Sequence, residues 1–147
     1  MEAIPLLSHE FSVTYYPYPQ INPKTGKVSD LFRPTVPIKV SYKNKTTMFF
    51  QALVDSGSDR NLFPAEIGEI LGIPIKKGIP RPIFGIGKVK IPAHTHKVII
   101  NFEKCSFEAE VDFSSEQKVP LLGRSGFFDQ FKRVLFRERK KEVCFKI

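Results

Sequence analysis

Tryptophan is absent from this sequence and cysteine nearly so, with Cys105 and Cys144 the only two. Their placement matches neither a Cys-x-x-Cys redox pair nor the paired spacings of a zinc site, so free thiols in a reducing compartment are expected, with a structural disulfide as the alternative. Long apolar runs are also missing. The most apolar stretch, Met48 to Val54, is far shorter than the roughly 20 residues a membrane-spanning helix needs. No secretory leader is legible, because Glu2 stands where a basic region belongs and Ala3 to Leu7 is short and interrupted by Pro5. The cytoplasm is therefore the expected compartment. Neither an internal repeat nor a low-complexity tract is present, which removes solenoids and fibrous arrays.

What remains is ordinary in bulk: 147 residues, 41% hydrophobic and 26% charged, the profile of one globular domain. The formal net charge of +8 raises the question of an acidic partner such as nucleic acid. The cations are scattered, however, and only Arg137 to Lys141 is dense, as expected for a charged turn between two strands.

Punctuation along the chain indicates short strands. Residues 1–35, with prolines alternating through Tyr15-Tyr16-Pro17-Tyr18-Pro19, read as an extended arm or edge strand with a turn at Lys24-Thr25-Gly26. Residues 36–147 read as the folded domain. Val36 to Tyr42 alternates and, after Lys43-Asn44-Lys45, pairs with Phe49 to Val54. Phe63 to Gly72 reads as a short helix with Pro64 in its first turn, Glu66 on its N-terminal dipole and Gly72 as its stop. Ile67, Ile70 and Leu71 form its apolar stripe, read as core. A hairpin over Arg81 to Pro92 has Gly85-Ile86-Gly87 at its tip. Another joins Lys97 to Phe102 with Phe107 to Phe113, whose alternation with Glu108, Glu110 and Asp112 is that of a half-buried strand. Val119 to Arg124 is a short buried strand, Gly126 to Phe131 a second brief helix, and Val134 to Phe136 with Val143 to Ile147 a last hairpin. The fold class is mostly β, a closed barrel or sandwich with one or two short helices.

One stretch departs from what a plain domain would use. Phe49 to Val54 has the character of a buried strand, yet it ends on Asp55 and continues Ser56-Gly57-Ser58. Carboxylates are rarely buried without a partner, so the strand reads as delivering an acid to a loop, with Gly57 providing freedom for a sharp turn.

Ala52-Leu53-Val54-Asp55-Ser56-Gly57-Ser58 resembles the Asp-Ser/Thr-Gly signature of aspartic proteases, and Leu121-Leu122-Gly123-Arg124 resembles the segment that follows it in the retropepsin-like (retroviral-type) branch. The Gly85-Ile86-Gly87 hairpin lies between them, where that family keeps its flap. The Phe-Pro-Ala-Glu-Ile-Gly helix and the Gly-Phe-Phe-Asp-x-Phe ending are similar to those of small microbial members. The resemblance implies a barrel-like acid-protease half and an aspartic endopeptidase activity on peptide or protein substrates, without cofactor or metal. Such chemistry needs one carboxylate to activate water and a second to protonate the carbonyl, two like charges sharing one proton. No second Asp-Ser-Gly exists in this chain, because Asp30, Asp112 and Asp129 lie in other contexts. A homodimer is implied, with Asp55 supplied twice.

By the same resemblance, Ser56 ties the two active loops together across the dimer and Gly57 lines the cleft. A Ser58 hydroxyl donating to the carboxylate would favour its ionised form, and Asp59 and Arg124 would form an ion pair bracing the loop. Gly85, Ile86 and Gly87 would form the moving flap tip. Lys88 stands where a further glycine is common, and a stiffer tip is expected. Two other readings remain: a non-proteolytic dimerisation or binding module on the same fold, and a basic β-domain binding nucleic acid. His94-Thr95-His96 lacks a third metal ligand beside it. Gly85-Ile86-Gly87-Lys88 opens no helix as a phosphate loop would, and Ser125 lacks the spacing of a nucleophile elbow.

Overall fold

The structure is a computed structural model, and it describes residues 9–147. The leader reading and the start of the N-terminal arm concern residues 1–8, which lie outside the described residues. The chain divides into two compact units, residues 37–129 and residues up to 36 together with 130–147. The C-terminal hairpin thus groups with the arm rather than with the central unit, because its last strand is paired by the arm's first.

The central unit is a closed barrel. Strands β4 (Thr35–Tyr42), β6 (Phe50–Val54), β13 (Leu121–Leu122), β7 (Asn61–Pro64), β12 (Cys105–Ser114) and β11 (His94–Phe102) neighbour one another in that order, and pairing of β11 with β4 completes the ring. Closure removes the exposed edges that an open sheet of this size would present. Inward positions are apolar: Ile38, Val40, Ala52, Phe63, Ile100, Phe102, Val111, Phe113 and Leu122 are all essentially inaccessible. Burying each large side chain contributes about 1.5–3 kcal/mol. Phe63 meets the edge of Phe113 at 6.1 Å and of Phe50 at 5.9 Å, which knits β6, β7 and β12 into one layer.

Turn chemistry explains the hairpins. The β11–β12 turn is only Glu103 and Lys104, two residues tighter than the alternation suggests, with Glu103 in the left-handed region at φ 52°. After β4 the chain turns through Lys43, also left-handed, into the two-residue strand β5 (Lys45–Thr46) before reaching β6, and another two-residue strand, β8 (Ile79–Pro80), pairs with the start of β11.

The single α-helix among the described residues, α1 (Ala65–Ile70), has Glu66 in its first turn, as the sequence predicts, but it is shorter than expected: Phe63 and Pro64 belong to β7, and Pro64 caps the helix rather than opening its first turn. Gly72, at φ 74°, follows its end. The expected stripe is corrected in part: Leu71 is buried, but Ile70 is 68% exposed. At about 100° per residue, Ile70 lies about 200° round the helix from Gly68, on the solvent side. Gly68 faces the sheet instead, where a Cβ would stand 3.2 Å from Phe113 and 2.4 Å from Ile75 Cδ1, so a bare backbone sets the packing distance.

In the second unit, β1 (Glu10–Thr14), β15 (Glu142–Lys146) and β14 (Arg133–Arg137) form a three-stranded antiparallel sheet. Phe145, fully buried, stacks with Phe11 at 5.4 Å and lies 5.0 Å from Phe131. Tyr15 is buried and its hydroxyl donates to Glu138 Oε1 at 2.8 Å, so desolvation and the neighbouring carboxylate both push its pKa above the ordinary tyrosine value. The proline-rich segment forms β2 (Tyr16–Ile21), paired antiparallel with β3 (Val28–Arg33) as a separate ribbon. Its turn is held where Asn22 Oδ1 accepts the Lys24 and Thr25 amides and Gly26 takes φ 71°. Cys105 and Cys144 are both free thiols.

Candidate active site

The Asp55 loop is held by backbone before any side chain acts. β6 and β13 run parallel, Leu53 beside Leu121 and Val54 beside Leu122, and the ladder ends where the Asp55 amide donates to the Leu122 carbonyl at 3.0 Å. The chain then folds back on itself. Asp55 Oδ1 accepts the Gly57 amide at 2.9 Å, and the Asp55 carbonyl accepts the Ser58 amide at 3.1 Å. This Asx-type turn fixes one oxygen of the carboxylate.

Gly57 does not sit in the left-handed region, which corrects the expectation that it gives the turn its freedom. Its role is close approach, since a Cβ there would lie 3.2 Å from Asp55 Oδ1.

The far arm of the loop is bound to the segment after β13. The Arg124 amide donates to the Ser58 carbonyl and the Ser125 amide to the Asp59 carbonyl, each at 2.8 Å. The Gly123 amide donates to the buried Asn61 side chain at 2.9 Å. A Cβ on Gly123 would stand 2.3 Å from the Arg60 carbonyl, so only glycine lets the two backbones cross this closely. Leu121-Leu122-Gly123-Arg124 therefore clamps both arms of the loop that presents Asp55.

Two side-chain expectations are corrected. The Ser58 hydroxyl donates to the Arg60 carbonyl at 2.7 Å rather than to the carboxylate, because the loop turns its side chain back over its own backbone. Asp59 and Arg124 are joined to the clamp through backbone groups, and among the described residues their exposed side chains form no ion pair with each other. The guanidinium that anchors the loop is Arg60. Its Nε donates to Asp112 Oδ2 at 2.9 Å, and its Nη2 donates to Asp112 Oδ1 and to Glu110 Oε1, both at 3.1 Å. Asp112 is completely buried and also accepts the Thr95 hydroxyl at 2.6 Å. These bonds hold the Arg60 pKa above the ordinary arginine value, the hydrogen bond to Asp112 being the main cause.

The candidate flap is a short hairpin of β9 (Ile83–Phe84) with β10 (Lys90–Ile91), closed by a Gly85 amide donating to the Val89 carbonyl at 2.8 Å. Its tip takes two consecutive left-handed residues, Gly87 at φ 79° and Lys88 at φ 65°. Lysine thus occupies a conformation that glycine adopts without penalty. Phe84, Ile86 and Val89 are exposed on it.

One cleft of about 790 Å³ brings much of this together: Asp55, Gly57, Ser58, Asp59, Gly85 and Ile86 line it, with Arg60, Arg81, Ile83, Phe84 and Asp112. Ser56, Gly87 and Arg124 do not line it. Ser56 is exposed. His96 is engaged elsewhere, with Nε2 2.8 Å from the Ile75 carbonyl.

Arg60, Arg81, Thr95 and Asp112 were not legible as site residues. Asp112 continues the Glu108, Glu110 alternation of a solvated face, and no local pattern marks a partner so far away in sequence.

No family model and no curated protein matches the sequence. Solved structures do. A retropepsin-like aspartic protease from Rickettsia conorii superposes with a TM-score of 0.60 at 15% identity, covering 92% of this chain and 97% of that one. The chain has the retropepsin-like fold. EIAV protease, in complex with the inhibitor HBY-793, aligns over 63% of the retropepsin-like chain and 82% of its own length at 19% identity, with a TM-score of 0.50. Among the described residues of this retropepsin-like chain, no helix is long and apolar enough to cross a membrane.

Proposed function

We propose that the chain is one half of an aspartic endopeptidase, active as a two-fold homodimer in which Asp55 of each copy meets the other at the axis. The observation that carries this reading is a carboxylate at the end of a barrel strand, clamped by backbone on both arms of its loop, in a cleft shared with a glycine-tipped hairpin. The chain has one such motif, and two carboxylates are needed. With one proton between them, one Asp55 takes a proton from the attacking water while the other donates to the peptide carbonyl. Held by the Gly57 amide, each carboxylate keeps its orientation through the step. The exposed Ser56 side chain is free to tie the two loops together, and the Gly85–Gly87 tip would close over an extended peptide.

Asp55→Asn tests the proposal. It is expected to abolish cleavage of a peptide library while leaving the dimer intact by analytical ultracentrifugation. Excess Asp55→Asn chain mixed into wild type should lower activity more steeply than dilution, because mixed dimers carry one carboxylate. Unchanged cleavage by the variant, or a strict monomer that cleaves, would refute the two-chain site. Dimerisation with peptide binding but no cleavage would instead support the binding-module reading.

A further inference from the structure

The cleft wall is apolar along Leu62, Pro82, Ile83, Phe84 and Leu121, with Arg81 set into it. Arg81 has little freedom of backbone. It lies between Pro80 and Pro82, whose rings fix their own φ and push the residues before them to extended conformations, and its amide donates to the Ala93 carbonyl at 2.8 Å.

Its side chain is steered by a chain of bonds from the Asp55 loop. Arg60 donates to Asp112, Asp112 accepts the hydrogen bond of the Thr95 hydroxyl, and the Thr95 oxygen is thereby left to accept from Arg81 Nε at 3.2 Å. Arg81 Nε is 3.9 Å from Asp112 Oδ1, but that oxygen already accepts from Arg60 and Thr95. Glu110 is occupied by Arg60 as well. Asp55 and Asp59 line the same cleft without forming an ion pair with Arg81 among the described residues.

Arg81, with its side chain 41% exposed, therefore keeps both Nη groups for something in the cleft. A planar pair of N–H donors with a full charge, set in an apolar wall, matches a carboxylate. We infer that Arg81 is a specificity-determining residue that receives a carboxylate of the bound peptide, so that the cleft selects peptides carrying Asp or Glu, or ending in a free C-terminus, near the scissile bond. This rests on the aspartic endopeptidase reading of the same cleft.

The test uses short apolar peptides carrying one Glu, one Gln or one Lys at each position in turn, with acid or amide C-termini, so that a side-chain and a terminal carboxylate are told apart. For wild type, kcat/KM for the best acidic peptide should exceed that of its neutral counterpart by about 10-fold to 100-fold, the range of one charge-assisted hydrogen bond. Arg81→Ala should bring the ratio close to unity, Arg81→Lys should keep part of it, and Arg81→Glu should reverse it in favour of Lys peptides. A wild-type ratio near unity, or one unmoved by Arg81→Ala, overturns the inference.

The same peptides, fluorescently labelled, are titrated into Asp55→Asn protein and into the Asp55→Asn, Arg81→Ala double variant. Cleavage of no peptide by wild type counts against the endopeptidase reading alone, and binding then decides the role of Arg81. Carboxylate-dependent binding lost in the double variant supports it, and binding indifferent to the carboxylate, or absent, overturns it.

Discussion

Replacing Asp112 by alanine isolates the anchor of the Asp55 loop. The carboxylate is fully inaccessible and accepts two bonds from Arg60 at 2.9 and 3.1 Å and one from Thr95 at 2.6 Å. Removing one partner of a buried ion pair costs about 3–5 kcal/mol, mostly the penalty on the charge left behind. Arg60 is not fully buried, its side chain being 24% exposed, and it keeps Glu110 at 3.1 Å. The loss is therefore set at the lower end, about 3 kcal/mol. With a urea m-value of about 2 kcal/mol/M, the unfolding midpoint should fall by about 1.5 M. Arg60→Met combined with Asp112→Leu should recover much of this, because neither charge then needs a partner. A loss below about 1 kcal/mol for Asp112→Ala would show that water reaches the pair and that Arg60 is no more than a surface cation.

Three further outcomes are expected. Gly87→Ala places a side chain at φ 79° with open space around it, so its cost of about 1–2 kcal/mol is purely backbone. Amide exchange at Gly85 should quicken by about 5-fold to 30-fold, and unchanged exchange would mean the tip is not hydrogen-bonded as described. Gly68→Ala should lower stability by about 1–3 kcal/mol through crowding of Ile75 and Phe113; an unchanged Tm would show that α1 can lift off the sheet. The raised Tyr15 pKa makes the folded state hold a proton that the unfolded chain releases above pH about 10. This contribution is fully present below that pH and is lost as pH climbs toward the folded value. Urea midpoints should thus drop between pH 9.5 and 11 more in wild type than in Tyr15→Phe, and parallel drops would refute the assignment.

Much of the site was readable because it depends on local chemistry. A buried strand ending on Asp55, the Ser-Gly turn after it, and Leu121-Leu122-Gly123-Arg124 downstream each carry their own pattern, and the structure places them side by side. The alternation of Phe107, Ala109, Val111 and Phe113 likewise marked one face of β12, buried at Ala109, Val111 and Phe113 and half-buried at Phe107. The same alternation misled at Asp112, because period two says which face a residue occupies but not what covers that face. Ile70 failed for a related reason. Helical spacing grouped it with Ile67 and Leu71, but packing decides which side of the helix meets the sheet, and Gly68 takes that side.

By itself, then, the sequence determined where a carboxylate leaves a strand, where the short strands and turns fall, and that the Asp-Ser-Gly motif occurs once in this chain. These follow from side-chain size, backbone freedom and count, all properties of neighbouring residues. Tertiary structure alone decided that Arg60, rather than Arg124, anchors the loop, that the Ser58 hydroxyl turns to its own backbone, and that Asp112 and Thr95 steer Arg81 into the cleft. The strength of a charged contact depends on burial and on competing partners, and both exist only once β7, β11 and β12 have closed around the pair.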